Sequence, residues 1–265
     1  EVLGTSTITA KKGTIEIAAD TSSLDGGAAA NVNAYQGSAG IVGLGAAVST
    51  ARVTNNVTAR VGQGSVLHIN NHLLANQGLI ILAHDGMAVN TKAYGAAVGL
   101  AAAGMVAATA EKAGNVLALV DNGTKVNLAS GSLYIGSSRE GNTSAYSLAG
   151  AGGVCAGNAS VAQAKEAGLV EAAIGNGVAI TAAKGAVQLE AISQPQVAAD
   201  SRGYGGAIFS AVGLSLAEAV ADTKIKATIG TGGKIEADSL TVSALAQLAG
   251  TSPTVRSYAE AIGGG

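Results

Sequence analysis

Short runs in which apolar and variable residues alternate recur along the chain, the period of a strand with one buried face. The clearest is an eight-position motif, apolar-x-Ala-x-apolar-(Gly/Asp)-x-Gly. It reads Val57-Thr58-Ala59-Arg60-Val61-Gly62-Gln63-Gly64, then Val116-Leu117-Ala118-Leu119-Val120-Asp121-Asn122-Gly123. Two further copies are Val170-Glu171-Ala172-Ala173-Ile174-Gly175-Asn176-Gly177 and Ile225-Lys226-Ala227-Thr228-Ile229-Gly230-Thr231-Gly232. Gly64, Gly123, Gly177 and Gly232 predict a turn with positive φ after each strand. A closing block follows, in which two alternating runs flank a turn, as in residues 180–191 and again in residues 8–19.

The motifs belong to a larger period. Tyr35, Tyr94, Tyr146, Tyr204 and Tyr258 each stand before a Gly/Ala-rich apolar run, at spacings of 59, 52, 58 and 54. Self-similarity at such a period is the mark of a stacked array, whose units bury their inward faces only against one another. The expected units are approximately 1–33 (partial), 34–92, 93–144, 145–202, 203–256 and 257–265 (partial), so the chain 1–265 reads as one continuous window of a longer array. The predicted fold is all-β, a parallel β-helix or β-solenoid with roughly two coils per unit, each coil taking about 20 to 30 residues. The hand of the coil is open.

The Gly/Ala runs admit three readings. Residues 93–110 are uncharged and approach transmembrane length, and they contain a small-xxx-small pattern, Gly95-Ala96-Ala97-Val98-Gly99. The equivalent residues 207–221 are interrupted by Glu218, which argues against a row of membrane spans. An Ala-rich helix packed on the stack is weakened by internal glycines, each costing about 1 kcal/mol in a helix. Close approach of two sheets or two coils is the reading that Gly and Ala support best. Between this run and the Ala motif lie Arg52, Glu111-Lys112, Lys165-Glu166, Asp222 and Lys224, where length also varies, which predicts an exposed turn. Pro195 and Pro253 fall in connections, where no ladder hydrogen bond is lost.

Composition changes the picture by what it lacks. Of 265 residues 39 are Gly and only 3% are aromatic, with one Phe and no Trp, so apolar positions are filled by Ala, Val, Ile and Leu, which suit thin regular layers. The 15 basic and 17 acidic residues nearly cancel, leaving no electrostatic footprint for nucleic acid or an anionic membrane. Cys155, the single cysteine, excludes an internal disulfide and reads as a small buried filler.

Candidate chemistry is sparse. His68, His72 and His84 lack the cysteines or clustered carboxylates of a metal shell and read as surface residues, with His84-Asp85-Gly86 as the turn ending a strand. The seven aspartates, Asp20, Asp25, Asp85, Asp121, Asp200, Asp222 and Asp238, do not recur at one position of the unit, as a polysaccharide-cleaving face would require. Gly43-Leu44-Gly45-Ala46-Ala47-Val48 lacks the third glycine of a dinucleotide fingerprint. No calcium-binding nonapeptide series occurs. The expectation is therefore no catalytic residue, no metal and no cofactor. Asn56, Asn122, Asn142 and Asn158 head Asn-x-Ser/Thr triplets, acceptors for glycan on an exported protein.

Taken together, Ala-Tyr or Gly-Tyr before a Gly/Ala run, Val-x-Ala-x-Ile-Gly-x-Gly, and Leu240-Thr241-Val242-Ser243-Ala244 resemble the repeat region of giant bacterial surface proteins, the leukotoxin-like and filamentous-haemagglutinin-like adhesins. The resemblance covers nearly the whole chain. It implies export across the outer membrane, an extracellular or cell-surface location, and display as a fibre that contacts cells, surfaces or sister fibres. The secretion domain of such proteins is not in these residues. The alternatives are a repeat-built module binding carbohydrate or ice, for which no regular row of Thr or Asn is visible in the sequence, and part of a large secreted toxin.

Overall fold

The computed structural model describes residues 5–11, 13–21, 29–70, 78–247 and 255–264; His72 and Pro253 lie outside them. The described residues are all-β, with no helix, and every strand pairing is parallel. Strands form columns in which each member pairs with a strand from the next stretch of chain.

Three columns wall a body. The first holds Val57–Val61 (β4), Asn115–Val120 (β8) and the ends of two long strands, Asn142–Ile174 (β11) and Gln196–Ile229 (β13). In it Ala59 faces Ala118, Ala118 faces Ala172, and Ala172 faces Ala227. The turn glycines that follow, Gly64, Gly123, Gly177 and Gly232, all have φ between 65° and 70°. The second column is Thr7–Ala10 (β1), Val66–Ile69 (β5), Lys125–Leu128 (β9) and the first parts of Ala179–Ser193 (β12) and Lys234–Ala246 (β14). The third is Ile15–Asp20 (β2), Leu79–Asp85 (β6), Leu133–Arg139 (β10) and the second parts of β12 and β14. The three walls enclose Val, Leu and Ile, among them Val61, Leu67, Leu79, Ile81, Ile135, Ile180 and Leu189, with an Ala in each layer.

The Gly/Ala runs form neither membrane nor soluble helices: residues 93–110 lie within a strand, and no helix among the described residues is long and apolar enough to cross a membrane. Ala29–Thr54 (β3), Ala88–Ala113 (β7), the first parts of β11 and β13, and Val255–Gly264 (β15) make a fin. Each full strand runs outward, bends near its middle and returns. Ser147 Oγ in the outward arm lies 2.7 Å from Ser160 Oγ in the return arm, and Ser49 Oγ donates to the Val32 carbonyl at 2.9 Å. Val89 and Ala93 likewise share a core with Val106, Ala108 and Ala110. Two sheets whose facing side chains are mostly Ala, Ser and Gly approach until hydroxyls touch, far closer than the ~10 Å usual for facing sheets. At the bend Gly40, Gly99 and Gly153 are in register, and a Cβ on Gly99 or Gly153 would collide with the carbonyl of the glycine one layer before it.

Three expectations are corrected. Among the described residues no strand pairs within its own period, because the out-and-back fin consumes the Gly/Ala run; strand partners lie a whole period apart, not half of one. The tyrosines do not share one column: Tyr35 faces Tyr94, but Tyr94 faces Leu148, Tyr146 and Tyr258 both face Asp200, and Tyr204 faces Gly150 and Ile262. Cys155 is exposed on the return arm, not buried.

Candidate functional site

Two places concentrate polar chemistry. The first is the neck, where the chain leaves the body for the fin and comes back. Sequence places Lys112 and Glu166 in an exposed turn; the structure buries both, while their neighbours Glu111 and Lys165 point outward. Alternation decides this, since the return arm carries inward and outward positions in turn. Asp85 ends β6 and Arg139 ends β10, stacked in register, so His84-Asp85-Gly86 does close a strand but with Asp85 fully buried. Lys112 Nζ and Arg139 Nε each lie 3.4 Å from Asp85 Oδ2.

The cations serve the corners. Lys112 Nζ donates to the Met87 carbonyl at 2.8 Å and the Glu140 carbonyl at 2.7 Å. Arg139 donates to the Ala167 carbonyl at 3.0 Å and the Gly114 carbonyl at 2.8 Å. These carbonyls sit at the corners of the neck, where backbone pairing is incomplete: Gly114 accepts only a long bond from the Leu169 amide at 3.3 Å, and a buried carbonyl short of donors is costly. Asp85 Oδ1 accepts from Thr21 at 3.2 Å, from the Met87 amide at 3.3 Å and from Asn55 at 3.4 Å. Glu166 completes the charge balance, yet neither of its oxygens accepts a hydrogen bond from the protein. Burial raises its pKa, against the pull of Lys112 and Arg139, and burial lowers that of Lys112, against Asp85 and Glu166. Two glycines that the sequence reading passed over make the corner: Gly114 and Gly168 have φ of 116° and 132°, and a Cβ on Gly168 would strike the Gly114 carbonyl.

The second place is the outer face of the outward arms. Tyr35 and Tyr94 stack with centroids 5.1 Å apart and planes 4° apart; Tyr146 tilts against Tyr94 at 5.5 Å. Arg202 continues the stack, its guanidinium 5.9 Å from the Tyr146 ring and 5.4 Å from the Tyr258 ring, while a two-toothed contact at 2.9 Å ties it to Asp200. Tyr204 stands two positions nearer the fin tip and donates to Glu260 at 3.0 Å. Between Tyr94 and Tyr204 lies an open depression of about 410 Å³ floored by Gly37, Ala96 and Gly150. Beside it Asn90 donates to Asn31 at 3.0 Å and accepts from Ser144 at 2.6 Å, and at the body turn Asn122 and Asn176 accept from the amides of Asn176 and Thr231. Short Asn columns therefore exist where the sequence showed none.

Other residues singled out by sequence are dispersed. His84 contacts Ser138 and Glu140, on a different wall from His68. Among the described residues no group of three or more His, Cys, Asp or Glu is arranged to hold a metal. Asn158 points into the fin beside Gly203 and Gly205 and is closed to a glycan. Compared with known proteins, the chain matches no family, no curated protein and no solved structure.

Proposed function

We propose that the chain is a tandem-repeat β-solenoid with one turn per unit, serving as a structural segment of an extracellular bacterial fibre or filamentous adhesin and having no catalytic role. One observation carries this reading: four copies of the Ala motif occupy one parallel column, in strict register, with the same turn glycine after each. Identical stacking operations repeated along an axis are how arrays extend without limit. With one turn per unit the five fin strands span only about 20 Å, half the length that two turns would give. The surface is near neutral and bears a row of tyrosines on one side of a thin fin, a geometry for contact with cells or sister fibres.

Removal of one turn tests the reading. Deleting residues 116–169 joins Asn115 to Val170, the register partner of Val116. A shortened chain that keeps parallel-β circular dichroism and one cooperative transition supports a modular stack; an unfolded chain overturns it. Antibody raised against the folded chain should label filaments on intact producing bacteria, and labelling only after lysis would overturn the surface assignment.

The Tyr-walled depression supports a second reading, a binding module for carbohydrate. A flat floor of Gly and Ala beside exposed rings and the Asp200, Arg202 and Glu260 groups suits a sugar ring, which stacks on aromatics and exchanges hydrogen bonds at its rim. Glycan-array binding lost in Tyr94→Ala separates this reading from a purely structural one.

A further inference from the structure

We propose that the outer face of the return arms is a docking surface for a second copy of the chain. This rests on the fibre reading and names the surface through which fibres would join. Register aligns Val42, Ala101, Cys155 and Ser210 across four layers, then Leu44, Ala103, Gly157 and Val212, then Ala46, Met105, Ala159 and Leu214, then Val48, Ala107, Val161 and Leu216. No charge interrupts these sixteen positions. Val42, Leu44, Val48, Met105, Val212, Leu214 and Leu216 are each more than half exposed. The tip adds Phe209, 82% exposed, because Ile208 and Phe209 together oppose one residue, Val154, in a bulge. Contiguous apolar surface of this kind on a soluble chain marks an interface.

The relief of the face favours its own kind. The first layer carries Val42, Leu44 and Val48 and the fourth Val212, Leu214 and Leu216; between them, toward the tip, a depression of about 290 Å³ lies over Ala101, Ala103, Cys155 and Gly157, with Met105 and Val161 farther along the strands. A copy displaced along the stack sets a Val/Leu ridge into this trough and offers its own trough in return, the self-complementarity of an isologous contact. Seven residues along the strand and four layers across cover about 25 Å by 20 Å, or ~500 Å² per copy. A pair buries ~1,000 Å², the lower bound of a specific interface, and each added layer enlarges it. Charge points the same way. The face ends on Arg52, Glu111, Lys165 and Glu218, alternating in sign and already joined as Arg52 with Glu111 and Gln163 with Glu218. A rim in which Arg52 and Lys165 are balanced by Glu111 and Glu218, and which has no Trp, carries neither the net positive charge nor the aromatic belt that hold a protein to a bilayer.

Cys155, in the trough, reports occupancy. Maleimide labelling of the full chain should slow by about tenfold between micromolar and millimolar protein, alongside a shift from monomer to dimer or larger in sedimentation. Leu44→Glu with Leu214→Glu, both on the solvent face, should restore fast labelling and the monomer with unchanged circular dichroism. Ala103→Arg, which fills the trough with a charge, should do the same should the double variant misfold. Labelling independent of concentration overturns the proposal. So does association that persists in the variants with Cys155 open, the signature of end-to-end stacking, and so does protection by phosphatidylcholine vesicles but not by protein. The single-turn deletion is read out by folding alone, so failure of the stack and failure of this face are separable.

Discussion

The body and the fin are built by the same chain with the same parallel ladders, yet their interiors differ. Leu, Ile and Val fill the body, and Ala, Ser and Gly line the fin. A buried Leu or Ile contributes about 1.5–3 kcal/mol and the single methyl of Ala a fraction of that. The fin is therefore held mainly by its backbone ladders and close packing, the body by its side chains. Cooperative stability belongs to the body, whereas the fin exposes two large surfaces at little cost in core volume.

The neck joins the two, so breaking it should have the largest effect. Arg139→Met leaves the buried Asp85 and Glu166 undercompensated and strips donors from the Ala167 and Gly114 carbonyls; a loss of about 3–5 kcal/mol in denaturant unfolding is expected. In the body, Ile135→Ala should cost about 3 kcal/mol through lost burial and the cavity left behind, with the whole transition moving as one. In the fin the sensitive direction reverses. Ala162→Leu has no room in the tight double sheet and should cost about 1–3 kcal/mol, with faster hydrogen exchange confined to the fin. Equal exchange in body and fin would remove the distinction between them. At the body turn, Gly123→Ala meets no neighbouring atom, and only φ of 67° opposes it, so about 1 kcal/mol is expected.

The smallest effect is a slope with pH. The Glu166 carboxyl has its pKa raised in the folded chain, so from the ordinary 4.5 up to the raised value the folded state holds a proton that the unfolded state has released. Stability from this group is present below that window and falls as pH rises through it. Melting temperatures across the acid range should therefore show a shallower decline for Glu166→Gln than for the parent chain; parallel profiles would show that Glu166 does not titrate there.

How far the sequence could be read follows from which errors the strand period tolerates. A slip of one residue in the Ala motif would turn its apolar side outward, and a slip of two would misplace the positive-φ glycine. Its register is doubly fixed and was legible. The tyrosines face outward on an arm with no such marker, and a slip of two keeps them on the same face; Tyr146 and Tyr204 occupy different columns, so their spacing misstated the alignment. Lys112 and Glu166 were unreadable for another reason. A charge in a polar-looking connection defaults to solvent; what draws Lys112 inside are the carbonyls of Met87 and Glu140 and the charge of Asp85, and what draws Glu166 inside are the charges of Lys112 and Arg139, brought there by other layers.

By itself the sequence determined where the inward faces of the Ala motif and the closing block lie and where the turn glycines stand, because alternation and φ are local properties; it left the Gly/Ala runs open between strand and helix. Tertiary structure decided that the Gly/Ala runs are strands folded back on themselves as a fin, that strand partners lie a whole period apart, and that a charged neck and an uncovered apolar face result. None of these is local: each depends on which layer lies above, which arm lies opposite, and whether a backbone group finds its partner in the ladder or must borrow one from a side chain.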